Sequence, residues 1–287
     1  MALVRWFGKP ELFITFTCNP RWPEITERLQ PGQVATDRPD IVNRIFNLKL
    51  KQFLKDLFTN DVLGNIKAYC WTLEEQKRSL KHIHLLAIMQ QPLTPEWVDN
   101  TVWAFIPDAT TMPNLHTIVT QSMLHGPCGI YNPNSPCMVD GLCKAKYPKE
   151  FRSTTVLSED GFALYARPDD GTIHDKNGFR FDNRWVVPYN PWLLLKFNAH
   201  INTEVCGSVK NVKYLYKYIT KGEDMAAVGV TDAGQENTDE ITNYVSSRYV
   251  YILLYAFDYM FSTKLAVLFT LHIYSPAQQI YSTVRIC

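Results

Sequence analysis

Apolar and polar positions alternate over residues 11–18, Glu-Leu-Phe-Ile-Thr-Phe-Thr-Cys, and the run stops at Asn19-Pro20. Alternation rich in β-formers with a hard end predicts a buried strand. After Arg38-Pro39 the pattern lengthens. Apolar pairs at Ile41/Val42, Ile45/Phe46, Phe53/Leu54 and Leu57/Phe58 predict a helix with one core face and Lys49, Lys51 and Lys55 on the other. Residues 67–76 and 82–89 read as two strands joined by the polar loop Lys77–Lys81, a β-hairpin. A short helix is expected from Thr94, with Pro95 in its first turn.

From Met112 to Asn190 periodicity is poor and Pro, Gly, Asn and Asp are dense, so this stretch reads as an insertion held by something other than a large apolar core. Residues 192–206 read as a further strand and residues 207–221 as a helix. An acidic linker over 223–240 follows. The apolar run Tyr249–Tyr274 is interrupted by Asp258 and Lys264, which argues for buried core over a membrane span.

Composition narrows the class. Of 287 residues, 46% are apolar and 13% aromatic, which excludes a disordered chain, a collagen-like repeat and a coiled coil. The formal net charge of +1 hides a local asymmetry. Residues 196–221 hold five lysines (Lys196, Lys210, Lys213, Lys217, Lys221) against Glu204, whereas 223–240 hold six acids and no base. Lys77, Arg78 and Lys81 add to the basic side. A solvated lysine face is the simpler explanation; a polyanion partner is the other.

Three constellations carry chemistry. His82 and His84 flank Ile83 on a strand, so both imidazoles share one face while Ile83 points to the core. A turn that pairs Gln76 with His82 would pair Glu74 with His84, placing all four on one surface as a cage for Mg²⁺ or Mn²⁺ with open positions for a phosphate. Two satisfied core histidines are the alternative. In Lys213-Tyr214-Leu215-Tyr216-Lys217-Tyr218-Ile219-Thr220-Lys221, Tyr214 and Tyr218 stack four apart on a helix, each with a lysine three residues later (Lys217, Lys221). Neighbouring ammonium groups favour an ionised phenol, and tyrosine can then act as a covalent nucleophile. A half-polar core helix fits the same spacing, and Tyr216 faces away from the pair.

The third constellation is His125, Cys128, Cys137 and Cys143, in a Gly/Pro-rich segment. Three thiolates and one imidazole can close a tetrahedral structural Zn²⁺ site; free thiols are the alternative, and His116 is a competing fourth ligand. The start of the sequence lacks a continuous apolar signal region, so a reducing compartment is expected and disulfides are not. Cys18, Cys70 and Cys206 lie on apolar strands and read as core residues.

Taken together, Phe13–Glu24 (FITFTCNPRWPE), 74–86 (EEQKRSLKHIHLL) and 212–222 (VKYLYKYITKG) resemble the motifs of the Helitron helicase-like N-terminal domain, the rolling-circle initiator endonuclease of the two-histidine (HUH) superfamily. The cysteine insert and 188–206 also resemble that family's. The resemblance implies an α+β, ferredoxin-like HUH endonuclease core with a central antiparallel sheet, plus a zinc-binding insertion. It divides the chain into core residues 1–110, insertion 111–187, core 188–248 with the tyrosine helix, and a divergent tail, 249–287. It implies that Tyr214 or Tyr218 attacks single-stranded DNA at the transposon ends, in the nucleus, at a metal held by His82 and His84. His200, Asn202 and Glu204 alternate onto one strand face near that site. Relatives continue into a helicase, but no GxxxxGK[S/T] phosphate loop occurs in this sequence, so no ATP-driven activity is expected of it. The alternatives are an inactive, transposon-derived single-stranded DNA-binding relic and a zinc-stabilised structural adaptor.

Overall fold

The computed structural model describes residues 7–75, 80–158 and 163–206. Its centre is a four-stranded antiparallel sheet of β1 (Leu12–Thr17), β2 (Ile66–Glu75), β3 (Lys81–Met89) and β4 (Ile201–Val205), in the order β4-β1-β3-β2. A twenty-residue helix, α1 (Pro39–Phe58), joins β1 to β2, and β2 runs into β3 as the expected hairpin. Between β3 and β4 come α2 (Pro95–Thr101), α3 (Pro113–Ser122), three small two-stranded ladders and α4 (Pro191–Phe197).

Strand alternation divides the sheet. Leu12, Ile14 and Phe16 of β1, Ile83, Leu85 and Ala87 of β3, and Ile201 and Val205 of β4 face the main core. There they meet Val42, Phe46, Leu50, Phe53 and Leu57, which recur at helical spacing along α1. Phe16 lies at the centre: its ring stands 4.9 Å from Phe53, 5.3 Å from Phe46 and 5.5 Å from Phe197. Each such fully buried side chain stabilises the fold by about 1.5–3 kcal/mol. As read from the sequence, Lys51 and Lys55 are exposed on the opposite face of α1; Lys49 is half-buried, bonded to Glu24 at 2.7 Å.

Two sequence expectations are corrected here. Residues 192–206 are not one strand. Asn190 caps a helix by accepting the Leu193 N–H at 2.9 Å, Pro191 opens it, and Leu193, Leu194 and Phe197 bury one side. Asn198 ends it in the left-handed conformation (φ 44°), and the chain then turns into β4. The second correction concerns the punctuated segment. It contains a ten-residue helix, α3, whose Leu115 and Val119, with Met123, Val186 and Tyr189, belong to the main core.

The same segment covers the outer edge of β4. Thr203 donates its N–H to the Pro188 carbonyl at 3.0 Å, and Val205 donates to the Tyr165 hydroxyl at 2.7 Å. Those groups would otherwise form an open strand edge. Among the described residues no helix is long and apolar enough to cross a membrane. The expected helix over 207–221, the acidic linker and the tail lie outside the described residues.

Candidate functional site

On the side of the sheet away from α1, strands β4, β1 and β3 line up polar groups. Thr17 pairs with His82 and Thr15 with His84 across β1–β3, while Asn202 and Glu204 stand opposite Thr15 and Phe13 across β1–β4. The predicted sharing of one face by His82, His84 and Glu74 therefore holds. The predicted register does not. Glu74 pairs with His82 and Thr72 with His84, two residues away from the expected Gln76–His82 and Glu74–His84 partners. A slip of two preserves the face, because strand side chains alternate with period two. Glu74 still reaches His84, diagonally, with Oε2 at 3.4 Å from Nε2. Gln76 lies outside the described residues.

Both histidines are almost fully covered, at 7% and 5% exposure. Their rings meet edge to face at 4.5 Å, and Phe13 stacks on His84 at 5.6 Å. Thr17 Oγ1 lies 2.7 Å from His82 Nδ1. Burial, and then the neighbouring His84 and His200, push the His82 pKa down to about 3, so its ring is neutral at physiological pH. His200 is similarly lowered by burial. Its Nδ1 lies 2.8 Å from the Ser122 carbonyl, which can only accept, so Nδ1 carries the proton and Nε2 keeps its lone pair. The two imidazoles of His82 and His84, with the Glu74 carboxylate beside the second, form a nitrogen and oxygen donor set suited to a small divalent cation.

The insertion builds a second site. Ligand atoms of His125, Cys128, Cys137 and Cys143 all lie within 4.8 Å of one another, and Cys143 Sγ is 3.4 Å from His125 Nε2. This set could hold a metal such as zinc, for which three sulfurs and one imidazole nitrogen complete a tetrahedron. The loop geometry explains the convergence. Gly126 adopts φ +99°, and a Cβ there would approach both the Trp185 ring and the Cys128 backbone nitrogen to 3.1 Å. Leu142-Cys143 pairs with Met138-Val139 in a tight ladder that brings Cys143 beside the loop of Cys137. Phe181 and Trp185 pack with Cys128 beneath the cluster.

The thiols are not equivalent. Burial first, then hydrogen bonds to its two neighbouring thiols, push Cys128 up to about 12. Burial also acts upward on Cys143, but backbone hydrogen bonds at Tyr147 and Ala145, with contacts to Cys128 and Cys137, together outweigh it and lower that thiol. Burial, and then Lys149, lower His125. A neutral imidazole and at least one acidified thiol favour metal capture. Tyr147 stacks flat on His125 at 4.1 Å, and Lys149 Nζ sits 4.8 Å above the Tyr147 ring.

His116 is not part of this cluster; its ring faces His174 at 5.7 Å. Cys18, Cys70 and Cys206 are buried, and desolvation pushes both Cys18 and Cys70 up to about 12, as fits core residues. Tyr214, Lys217, Tyr218 and Lys221 lie outside the described residues. Sequence reasoning missed Thr17 and the Ser122 carbonyl, because their partners are 65 and 78 residues away. It also missed Tyr147, whose stacking on His125 left no local signal beyond a tyrosine near the cysteines.

No curated protein matches the chain. The tyrosine segment and the four Cys/His ligands lie beyond the stretch a family model covers. That model, the Helitron helicase-like domain at N-terminus, matches residues 1–87. The part of the chain that carries β1, α1, β2 and most of β3, with Thr17, Glu74, His82 and His84, is therefore similar to the N-terminal domain of Helitron transposon proteins.

Proposed function

We propose that this chain is a rolling-circle transposon initiator that nicks and rejoins single-stranded DNA through a covalent tyrosine intermediate. The observation that carries the reading is the sheet site: two adjacent imidazoles, His82 and His84, with the Glu74 carboxylate 3.4 Å from His84. The strand–helix–strand–strand–helix–strand path and the order β4-β1-β3-β2 support a ferredoxin-like HUH core. The family match over residues 1–87 supports a transposon origin.

His82, His84 and Glu74 hold the divalent ion, Mg²⁺ or Mn²⁺, which when bound polarises the scissile phosphate and stabilises its developing charge. Gln76 is the alternative to Glu74 as third ligand. Tyr214 or Tyr218 attacks the phosphorus, the P–O3′ bond breaks, and the products are a 5′-phosphotyrosine and a free 3′-OH strand. That hydroxyl is the nucleophile for the reverse step, and two tyrosines permit two successive transfers. Lys217 and Lys221 favour the phenolate forms. Lys210, Lys213, Lys217 and Lys221 supply positive charge for the phosphates of the strand, and a zinc-loaded His125/Cys128/Cys137/Cys143 module holds the insertion. On this reading the protein works in the nucleus, where the transposon ends are.

Cleavage of a single-stranded oligonucleotide in Mn²⁺ tests the reading. Cleavage should occur with the native chain and disappear in His82→Ala and His84→Ala variants that retain zinc and fold. Equal cleavage by the variants would remove the sheet site from the chemistry.

A further inference from the structure

The outermost polar row of the sheet face contains a residue with no role in the reading above. Thr17, the last residue of β1, has His82 opposite it on β3, and it donates its N–H to the His200 carbonyl at 3.0 Å on its other side. Cys18 donates its N–H to the Lys81 carbonyl at 2.9 Å, which makes Cys18–Lys81 a hydrogen-bonded pair of the β1–β3 ladder. Such pairs alternate with closely spaced non-hydrogen-bonded ones, so Thr17–His82 is of the second kind, where side chains stand nearest. Thr17 Oγ1 accordingly lies 2.7 Å from His82 Nδ1.

A neutral imidazole has one donor and one acceptor nitrogen, and a hydroxyl can serve either. If Thr17 donated to Nδ1, Nε2 would carry the proton and could not ligate a cation. If Thr17 accepts from Nδ1–H, Nε2 presents its lone pair. Metal-binding histidines commonly have their second nitrogen tied in this second way, which fixes the tautomer and turns the ring. The neighbouring His200 is held in that tautomer by the Ser122 carbonyl.

We propose that Thr17 is a positioning residue of the metal site: its hydroxyl accepts the Nδ1–H of His82 and commits Nε2 to the divalent ion. The inference rests on the metal-site reading of His82 and His84 and adds to it a tautomer and the residue that sets it. Thr17 touches neither the ion nor the DNA in this role.

The test uses the full chain with its zinc in place, titrated with Mn²⁺ and followed by electron paramagnetic resonance. Thr17→Val, which keeps the shape but removes the hydroxyl, should weaken Mn²⁺ binding about 10–100-fold. Thr17→Ser should bind as the native chain does, a rescue that packing alone would not produce. Unchanged affinity in Thr17→Val, with binding lost in His82→Ala, overturns the Thr17 proposal and leaves the metal site standing. Unchanged affinity in His82→Ala overturns the metal-site reading itself. Long-range proton–nitrogen NMR of the native imidazoles needs no variant to fold: a protonated Nδ1 on His82 is expected, and a protonated Nε2 overturns the proposal.

Discussion

Glu74 and His84 meet across a diagonal of the β2–β3 ladder: Oε2 lies 3.4 Å from Nε2 although Glu74 stands directly opposite His82. A carboxylate so placed can share a cation with both histidines. Glu74→Ala should therefore weaken Mn²⁺ binding by about tenfold or more, the range seen when groups that support a metal ligand are removed. Gln76→Ala should have a smaller effect, since β2 ends at Glu75 and the ladder pairs Glu74, not Gln76, with His82. Isothermal titration of the zinc-loaded chain compares the two. A larger loss from Gln76→Ala would assign the third ligand to the loop instead.

The Cys/His cluster should carry about one tightly held zinc per chain, as a closed set of four donors does. Metal analysis after purification measures the content. Chelation, or Cys128→Ser, should release it, lower the melting temperature and expose tryptophan fluorescence from Trp185, which packs against Cys128. Full zinc content in Cys128→Ser would contradict the four-ligand assignment.

Arg167 is buried at 3% exposure and its Nη1 reaches the carbonyls of Ala104, Asn183 and Val186 at 3.1, 2.6 and 2.8 Å. One guanidinium thus joins two parts of the insertion, at Asn183 and Val186, to the segment between α2 and α3 at Ala104. Arg167→Met leaves those carbonyls without their donor and should cost about 3 kcal/mol or more in urea unfolding. A change below about 1 kcal/mol would mean that the carbonyls find other partners at little cost.

How much of this was legible in the sequence follows from which physics is local. The face shared by Glu74, His82 and His84 depends only on strand parity, which alternation reports directly. Absolute register depends on the turn, so an error of two residues left the face right and the partners wrong. The helix α4 was hidden because Trp-Leu-Leu-Leu-Lys is an apolar run with no visible period. Its signals were the flanks: Asn190-Pro191 at the start and Asn198 at the end. The Cys/His cluster was legible because cysteine is rare enough for a cluster to stand out. Thr17 and the Ser122 carbonyl were not, because ordinary residues acquire such roles only through contacts distant in sequence.

The central claim is that a tyrosine of this chain becomes joined to DNA. The direct measurement is transfer of a 3′-labelled single-stranded oligonucleotide to the protein in Mn²⁺, resolved on a denaturing gel. A labelled covalent adduct is expected. It should fall in Tyr214→Phe and in Tyr218→Phe, and vanish in the double variant and in His82→Ala. Absence of any adduct from a folded, zinc-loaded chain that binds both Mn²⁺ and the oligonucleotide would contradict the account and favour a DNA-binding relic.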